Sequence, residues 1–283
     1  MSKERLPPPM EITDQEFELF RRLLEDEIGI VLKHSEKTLV ANRLRERVRE
    51  LHLSSYFEYY RRITEGATRV SDLSDLADAL TTRKTDFFRH LSQMESFRTE
   101  MVPRLVAKLR SGESSSINIW SAGCSTGEEP YTLAVLLQET VPFPLWPAFS
   151  ILATDVSPAA IRTATEASYP RRKLGDVSSD ILTRYFEPAA GDGTVKVRQA
   201  VRRMIMFREH NLKSGIWAFG QFDVTFCRNV LIYFSKMFQE ELIARFYAHL
   251  KPGGYLYIGH SETLQNFANP FQFVEPMVYR RPG

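Results

Sequence analysis

Cysteine is scarce here: Cys124 and Cys227 are the only two in 283 residues. Neither lies in a C-x-x-C pair or at metal-ligand spacing from other candidate ligands. Two small buried thiols in a reducing compartment are therefore expected, and neither a disulfide framework nor a structural metal. No apolar run approaches the roughly 20 residues of a membrane span. Residues 1–10 are charged and proline-rich, without the apolar middle of a secretion signal, so they read as a disordered tail on a cytoplasmic protein. Net charge is also small, with 37 Lys and Arg against 35 Asp and Glu. That balance argues against wholesale nucleic-acid binding. No G-x-G-x-x-G is present, and no Lys follows the one glycine-rich turn as a phosphate-binding loop requires. Internal repeats and low-complexity tracts are absent as well.

What is present centres on Ile117-Asn118-Ile119-Trp120-Ser121-Ala122-Gly123-Cys124-Ser125-Thr126-Gly127-Glu128-Glu129-Pro130. An apolar strand leads through a turn of small residues into a helix carried by Tyr131, Leu133, Ala134, Val135, Leu136 and Leu137. Gly123 and Gly127 permit φ > 0 and close approach of a ligand to the backbone. Pro130 suits a helix first turn. Strand, glycine turn and helix N-terminus form a nucleotide-type pocket on a parallel sheet. Glu128 and Glu129 stand where a phosphate would sit. Either they merely complement the helix dipole, or they repel phosphate and suit a ligand with a cationic head. S-adenosylmethionine has an ammonium, a sulfonium and no phosphate.

Upstream, residues 11–80 read as a small helical bundle. Thr13 and Glu16 are spaced as a capping box, and Phe17, Phe20, Leu24 and Ile28 follow at helical spacing as far as Gly29. Val40, Leu44, Val48 and Leu51 mark a second helix, Tyr56, Tyr59, Tyr60 and Ile63 a third, and Leu73, Leu76 and Leu80 a fourth. The second is rich in arginine. Arg43/Arg47 and Arg45/Arg49 flank its apolar stripe on opposite sides, either snorkelling over the core rim or steering an acidic partner. Residues 81–91, with Phe87-Phe88-Arg89, read as a segment wedged between domains. A helix is expected from Ser92 to Arg110.

Downstream of the glycine turn, Phe149 to Thr154 reads as a strand ending in Asp155, where nucleoside-binding folds hold ribose hydroxyls; Asp155 could instead cap the helix that begins at Ser157-Pro158. Residues 169–201 break the βαβ rhythm and read as an inserted subdomain, with Ala190-Gly191-Asp192-Gly193 as a hairpin turn before Val195 and Val197. Met204 to Arg208 returns to the main sheet and leads to His210-Asn211-Leu212. Phe222 to Cys227 is a further strand, ending in Arg228-Asn229. Ser235 to Leu250 is an amphipathic helix, Tyr255 to Gly259 a strand, and the run around Phe271, Phe273 and Val278-Tyr279 closes the sheet.

Leu80-Thr81-Thr82 with Thr85, Phe87-Phe88-Arg89, Trp120-Ser121-Ala122, Ser125-Thr126-Gly127-Glu128-Glu129-Pro130-Tyr131, Cys227-Arg228-Asn229-Val230, Ile232-Tyr233-Phe234 and Gly259-His260-Ser261-Glu262 together resemble the chemotaxis receptor methyltransferases (CheR). The blocks span nearly the whole chain in order. The resemblance implies an α/β protein: a Rossmann-like S-adenosylmethionine-dependent methyltransferase domain (residues 92–283) with an inserted small β-subdomain, preceded by an all-α N-terminal domain. It implies methyl transfer from S-adenosyl-L-methionine to glutamate side chains on the cytoplasmic helical bundle of methyl-accepting chemoreceptors. By matching position it implies cofactor contacts from Arg83, Thr85, Arg89, Gly123, Glu128, Asp155, Asn211, Leu212, Arg228 and Asn229. Arg89 and Tyr233 match the residues nearest the reacting atoms. Arg83 stands where some relatives carry Asn, and the inserted hairpin is somewhat shorter than in relatives that tether a receptor peptide. The arginine-rich second helix gains a candidate partner in the acidic methylation region of the receptor. A nucleic-acid methyltransferase is disfavoured: Arg228-Asn229-Val230-Leu231 replaces the [DN]-P-P-[YF] loop of adenine-N6 enzymes, and the Pro-Cys nucleophile of cytosine-C5 enzymes is missing. A non-catalytic signalling scaffold would not need Glu128, Asp155, Arg228-Asn229 and Tyr233 together.

Overall fold

The capping box at Thr13 forms as the spacing predicts. Glu16 N donates to Thr13 Oγ1 at 3.1 Å, and Thr13 N donates back to Glu16 Oε2 at 2.9 Å. They open α1 (Asp14–Ile28), which Gly29 closes at φ 86°. A computed structural model describes residues 11–66, 68–81, 85–175, 177–189 and 193–283, with backbone only for Val70. The expected tail 1–10, the candidate cofactor contact Arg83 and the turn residues Ala190-Gly191-Asp192 lie outside the described residues. The chain divides into two compact units, Met1–Thr82 with Tyr233–Ser235, and Arg83–Ile232 with Lys236–Gly283.

In the helical unit, α1 is followed by α2 (Lys37–Glu50), α3 (Tyr56–Glu65) and α4 (Arg69–Leu80). Ser55 caps α3 through its side chain. Phe17, Phe20, Leu24, Leu44, Val48, Tyr59 and Ile63 are buried, and Phe20 packs on Tyr59 and edge-on to Tyr60 at centroid distances of 5.9 and 5.8 Å. Two of the candidate receptor-binding arginines are committed inside this unit. Arg43 Nη1 donates to Ala79 O at 3.1 Å, and Arg47 pairs with Asp75 on α4 and with Glu50. Both fasten α2 to α4; Arg45 is half-buried and Arg49 exposed. Tyr233–Ser235 belongs with these helices: Val31 N donates to Tyr233 O at 2.8 Å, and Ile30 bridges Phe234.

The second unit begins with α5 (Leu91–Ser96), a π turn over Phe97–Met101 and α6 (Val102–Ser111). One continuous helix was the expectation. Pro103 has no N–H for the helical ladder, and the helix widens just before it. Then come β1 (Ile117–Ala122), α7 (Glu128–Thr140), β2 (Phe149–Asp155), α8 (Pro158–Glu166), β3 (Ser168–Pro170), α9 (Ser179–Tyr185), β4 (Phe186–Pro188), β5 (Thr194–Val197), α10 (Gln199–Arg202), β6 (Ile205–Glu209), β7 (Phe222–Cys227), α11 (Lys236–His249), β8 (Leu250–Ile258), β9 (Gln272–Glu275) and β10 (Val278–Arg280). The main sheet has the order β6-β2-β1-β7-β8-β10-β9. It is parallel from β6 to β8, while β10 and β9 add antiparallel. The insertion forms its own antiparallel sheet, β3-β5-β4.

Side chains of β1 alternate between the two faces. Ile117 and Ile119 join Phe97, Leu105 and Leu133 in one core cluster. Trp120 instead packs against Trp217, Phe219, Phe222 and Phe246 at centroid distances of 5.0 to 5.3 Å. His210 is drawn into that aromatic layer, 4.8 Å from Phe219. Burial, helped by nearby His249 and Arg245, lowers its pKa to about 4. A histidine of ordinary pKa near ~6.5 in the unfolded chain then takes up its proton before the folded one does. Stability is therefore complete above about pH 6.5 and is lost as pH falls toward 4. The expected loss through His210 is about 1–2 kcal/mol at pH 5. Comparing melting temperatures at pH 7 and pH 5 tests this: His210→Gln should narrow the gap, and an unchanged gap would refute the assignment.

Candidate functional site

From β1 the chain builds outward to β2 and β6, then returns to lay β7 on the other side of β1. The order reverses at β1/β7, and in such sheets the crevice beyond the carboxyl ends of the strands at the reversal is where ligands sit. Five parallel strands end there. β1 delivers Gly123, β2 Asp155, β6 the His210-Asn211-Leu212 run, β7 Arg228-Asn229 and β8 Gly259. The residues picked out in the separate sequence blocks of this unit thus come to one edge.

The turn after β1 is anchored to β2, with Gly123 N and Cys124 N both donating to Thr154 O, at 2.8 and 2.9 Å. Gly123 and Gly127 have φ of 77° and 96°. Their open faces, however, are used by the protein itself. A Cβ on Gly123 would lie 2.5 Å from Val230 Cγ2, and one on Gly127 would lie 2.8 Å from Ala164 Cβ and 2.9 Å from Tyr169 Oη. On that side these glycines make room for packing and for positive φ. Asp155 lies at the predicted strand end. Its carboxylate accepts from Ser125 N at 2.8 Å and from Ser157 N at 3.0 Å. The cap of α8 is Ser157, whose Oγ accepts from Ala160 N at 3.1 Å, and not Asp155.

Glu128 and Glu129 are not the free acids that the sequence reading supposed. The Glu128 side chain is fully buried; Lys173 Nζ donates to its Oε1 at 2.8 Å and Thr126 Oγ1 to its Oε2 at 2.7 Å. Glu129 accepts from Ser121 Oγ at 2.8 Å and from Arg228 Nη1 at 2.9 Å. Arg228 Nη2 continues to Arg89 O, also at 2.9 Å. Each acid carries its own cation because an uncompensated carboxylate at this depth would be costly. Thr85 accepts from Lys173 Nζ through its carbonyl, at 2.8 Å. Asn211 Oδ1 accepts from Lys213 N at 2.9 Å, and Leu212, buried, is held through its carbonyl by Arg245 Nη1 at 3.3 Å.

Two residues here were not singled out from the sequence. One is Lys173. The other is Glu262, whose carboxylate accepts from Asn229 N at 3.0 Å, from Ile232 N at 3.3 Å and from Gly259 N. Burial raises its pKa, while these donors act in the opposite sense. The Gly259-His260-Ser261-Glu262 block was the available signal for Glu262; Lys173 had none beyond a basic run. Phe88, His90, Ser125 and Asn229 all hold φ between 50° and 62° without being glycine. Strain gathered in this way marks functional sites. His90 packs against His260 with ring centroids 4.1 Å apart and planes tilted by 36°, and burial, followed by Arg228, lowers its pKa to about 4.

This edge fits S-adenosylmethionine. Asp155 stands at the strand end where nucleoside-binding folds hold ribose hydroxyls. Ser125 Oγ, in the glycine turn, is buried without a partner among the described residues, as a group awaiting a polar ligand would be.

Comparison with known proteins gives the same assignment. Residues 83–279 match the family described as CheR methyltransferase, SAM binding domain, and residues 15–81 match CheR methyltransferase, all-alpha domain. The chain is 37% identical to a chemotaxis protein methyltransferase of Vibrio parahaemolyticus, over 93% of this chain and 94% of that protein. It is 38% identical to chemotaxis protein methyltransferase 1 of Vibrio cholerae, with the same coverages. With chemotaxis protein methyltransferase 1 of Pseudomonas aeruginosa it shares 36% identity, over 96% of this chain and 99% of that one. With both domains matched in order and relatives aligned along almost their full lengths, the chain belongs to the CheR family of S-adenosylmethionine-dependent chemotaxis methyltransferases.

Proposed function

We propose that this protein methylates glutamate side chains on the cytoplasmic helical bundle of methyl-accepting chemoreceptors, giving glutamyl methyl esters, and that it acts in the cytoplasm. The observation that carries the reading is the carboxyl-end edge of the sheet, where Asp155 and the Glu129–Arg228–Arg89 chain meet in a chain of this family. Among the described residues no helix is long and apolar enough to cross a membrane, in keeping with a partner reached from the aqueous side.

When bound, S-adenosylmethionine supplies an electrophilic methyl on a sulfonium. A glutamate side chain, of pKa near ~4.3, is already an anion at neutral pH. No general base is required, so neither a Ser-His-Asp nor a Cys-His arrangement is needed. The protein's task is placement, and well-oriented reactants can gain roughly 7–11 kcal/mol that way. Asp155 is assigned to the ribose, with Thr85, Gly123, Glu128, Asn211, Leu212, Arg228 and Asn229 around the remainder of the cofactor. Arg89 is assigned to the incoming carboxylate as a cation, and Tyr233 as a hydroxyl donor. A tight ion pair would blunt the nucleophile, so the hydroxyl suits the nearer position. Arg45 and Arg49 are assigned to the acidic face of the receptor.

The decisive experiment is incubation with methyl-labelled S-adenosylmethionine and receptor cytoplasmic fragments, scored for base-labile methyl esters. Ester formation on glutamate is expected; label on nucleic acid, or no transfer to any fragment, would sink the reading. Run in parallel at low salt, R45E/R49E should transfer several-fold less label while binding S-adenosylhomocysteine as the wild type does.

A further inference from the structure

The inserted β-subdomain is fastened to the same segments that are assigned to the cofactor. Lys173 lies in the short helical turn Arg171–Leu174, directly after β3. Its Nζ donates to Thr85 O and to Glu128 Oε1, both at 2.8 Å, and its own carbonyl accepts from Phe87 N at 3.1 Å. Tyr169, on β3, donates its hydroxyl to Thr126 O at 2.6 Å. The Phe87 ring packs edge-on against Tyr169 and against Phe186 on β4, with centroids at 5.0 and 5.3 Å. One cation therefore serves both the segment before the sheet and the first residue of α7, and one phenol holds the carbonyl just before Gly127.

We propose that Lys173, seconded by Tyr169, is a positioning residue for the cofactor pocket: the insertion completes the wall formed by Thr85 and the Thr126–Glu128 turn. The inference rests on the reading of this edge as the S-adenosylmethionine site. Its physical ground is the burial of Glu128. A carboxylate with a fully buried side chain holds one orientation only while its cation is present. Without Lys173, Glu128 has to turn or to draw in water, and Thr85 O loses its donor at the same time. Both contacts assigned to the cofactor shift together. A subdomain serving only as a docking platform would not need to reach this deep.

The test is calorimetric titration of S-adenosylhomocysteine into the full chain. K173M is expected to bind about 10-fold more weakly or worse, the scale of one lost hydrogen bond to a charged group. K173R, which restores a cation, should recover most of that loss. Initial rates should show the defect of K173M in KM for S-adenosylmethionine more than in kcat at saturation, a split that general loosening of the fold would not give. Y169F keeps the ring packing and removes only the bond to Thr126 O, so it serves if K173M does not fold; a 3-fold or greater loss of affinity is expected. Wild-type binding matched by K173M, or by Y169F where K173M fails to fold, would overturn the inference alone. Failure of the wild type to bind would overturn the pocket assignment and this inference with it.

Discussion

Replacing Arg228 with methionine should cost the protein both its ligand and a measurable part of its stability. Arg228 is 7% exposed. Its two terminal nitrogens serve different partners, Glu129 Oε2 on one side and Arg89 O on the other, each at 2.9 Å. Methionine fills much of the volume and supplies neither donor. Glu129, only 14% exposed at its side chain, is left as a nearly buried anion still held by Ser121 Oγ. Breaking one side of a buried pair typically costs about 3–5 kcal/mol. Even the low end, about 3 kcal/mol, corresponds to a fall in melting temperature of roughly 6–12 °C for a chain of this size. R228K should do little better for binding, because an ammonium lacks the planar fork that spans two acceptors. The variant that separates the two effects is E129Q/R228M. Removing the orphaned anion should recover much of the stability while S-adenosylhomocysteine affinity stays low, since Arg89 has still lost its anchor. Thermal melts and calorimetry on the three variants decide it; a melting temperature for R228M within about 2 °C of wild type would refute the paired-charge account.

The same residues show what the sequence could and could not disclose. Local features were legible because their causes are local: the Thr13–Glu16 box and the Gly29 stop need only neighbours in sequence. The strand ends that gather the site were also legible, since an apolar run followed by polar residues marks the carboxyl edge of a parallel strand. Charge pairing was not. Glu129 finds Arg228 at a separation of 99 residues and Glu128 finds Lys173 at 45, and no spacing rule connects such partners. Read alone, two adjacent glutamates at a helix N-terminus carry two negative charges; folded, each is compensated. The glycines were legible only in part, for a similar reason. Their φ was foreseeable, but Val230 and Tyr169, which occupy the space over them, arrive from distant strands and loops. Arg43 and Arg47 read as surface from helical phase, yet both are drawn onto α4. The π turn before Pro103 shows the opposite case, a local cause present in the sequence and overridden in the reading by strong helical periodicity.

Tyr233→Phe should separate chemistry from binding more cleanly than any other substitution. The change removes one oxygen and leaves the ring. The main-chain bond from Val31 N to Tyr233 O does not involve the side chain, so the local backbone should keep its course. No cofactor contact is assigned to the hydroxyl, and S-adenosylhomocysteine should bind within about 2-fold of wild type, a difference of roughly 0.4 kcal/mol. Turnover is another matter. If the hydroxyl holds one oxygen of the receptor glutamate so that the other faces the methyl carbon, its loss frees the carboxylate to rotate. Misplacement of a reacting atom by about 1 Å can cost on the order of 100-fold. A fall in kcat of about that size is expected at saturating S-adenosylmethionine, measured as methyl ester released by base. The donor is neutral for a physical reason. The attacking carboxylate gives up its charge as the ester forms, so a full cation in the hydroxyl's place would stabilise the starting anion more than the transition state. Tyr233→Lys should accordingly fail to rescue Tyr233→Phe even where the ammonium can reach. Turnover of Tyr233→Phe within 2-fold of wild type, with binding unchanged, would remove the hydroxyl from the mechanism and leave Arg89 as the sole residue assigned to the carboxylate.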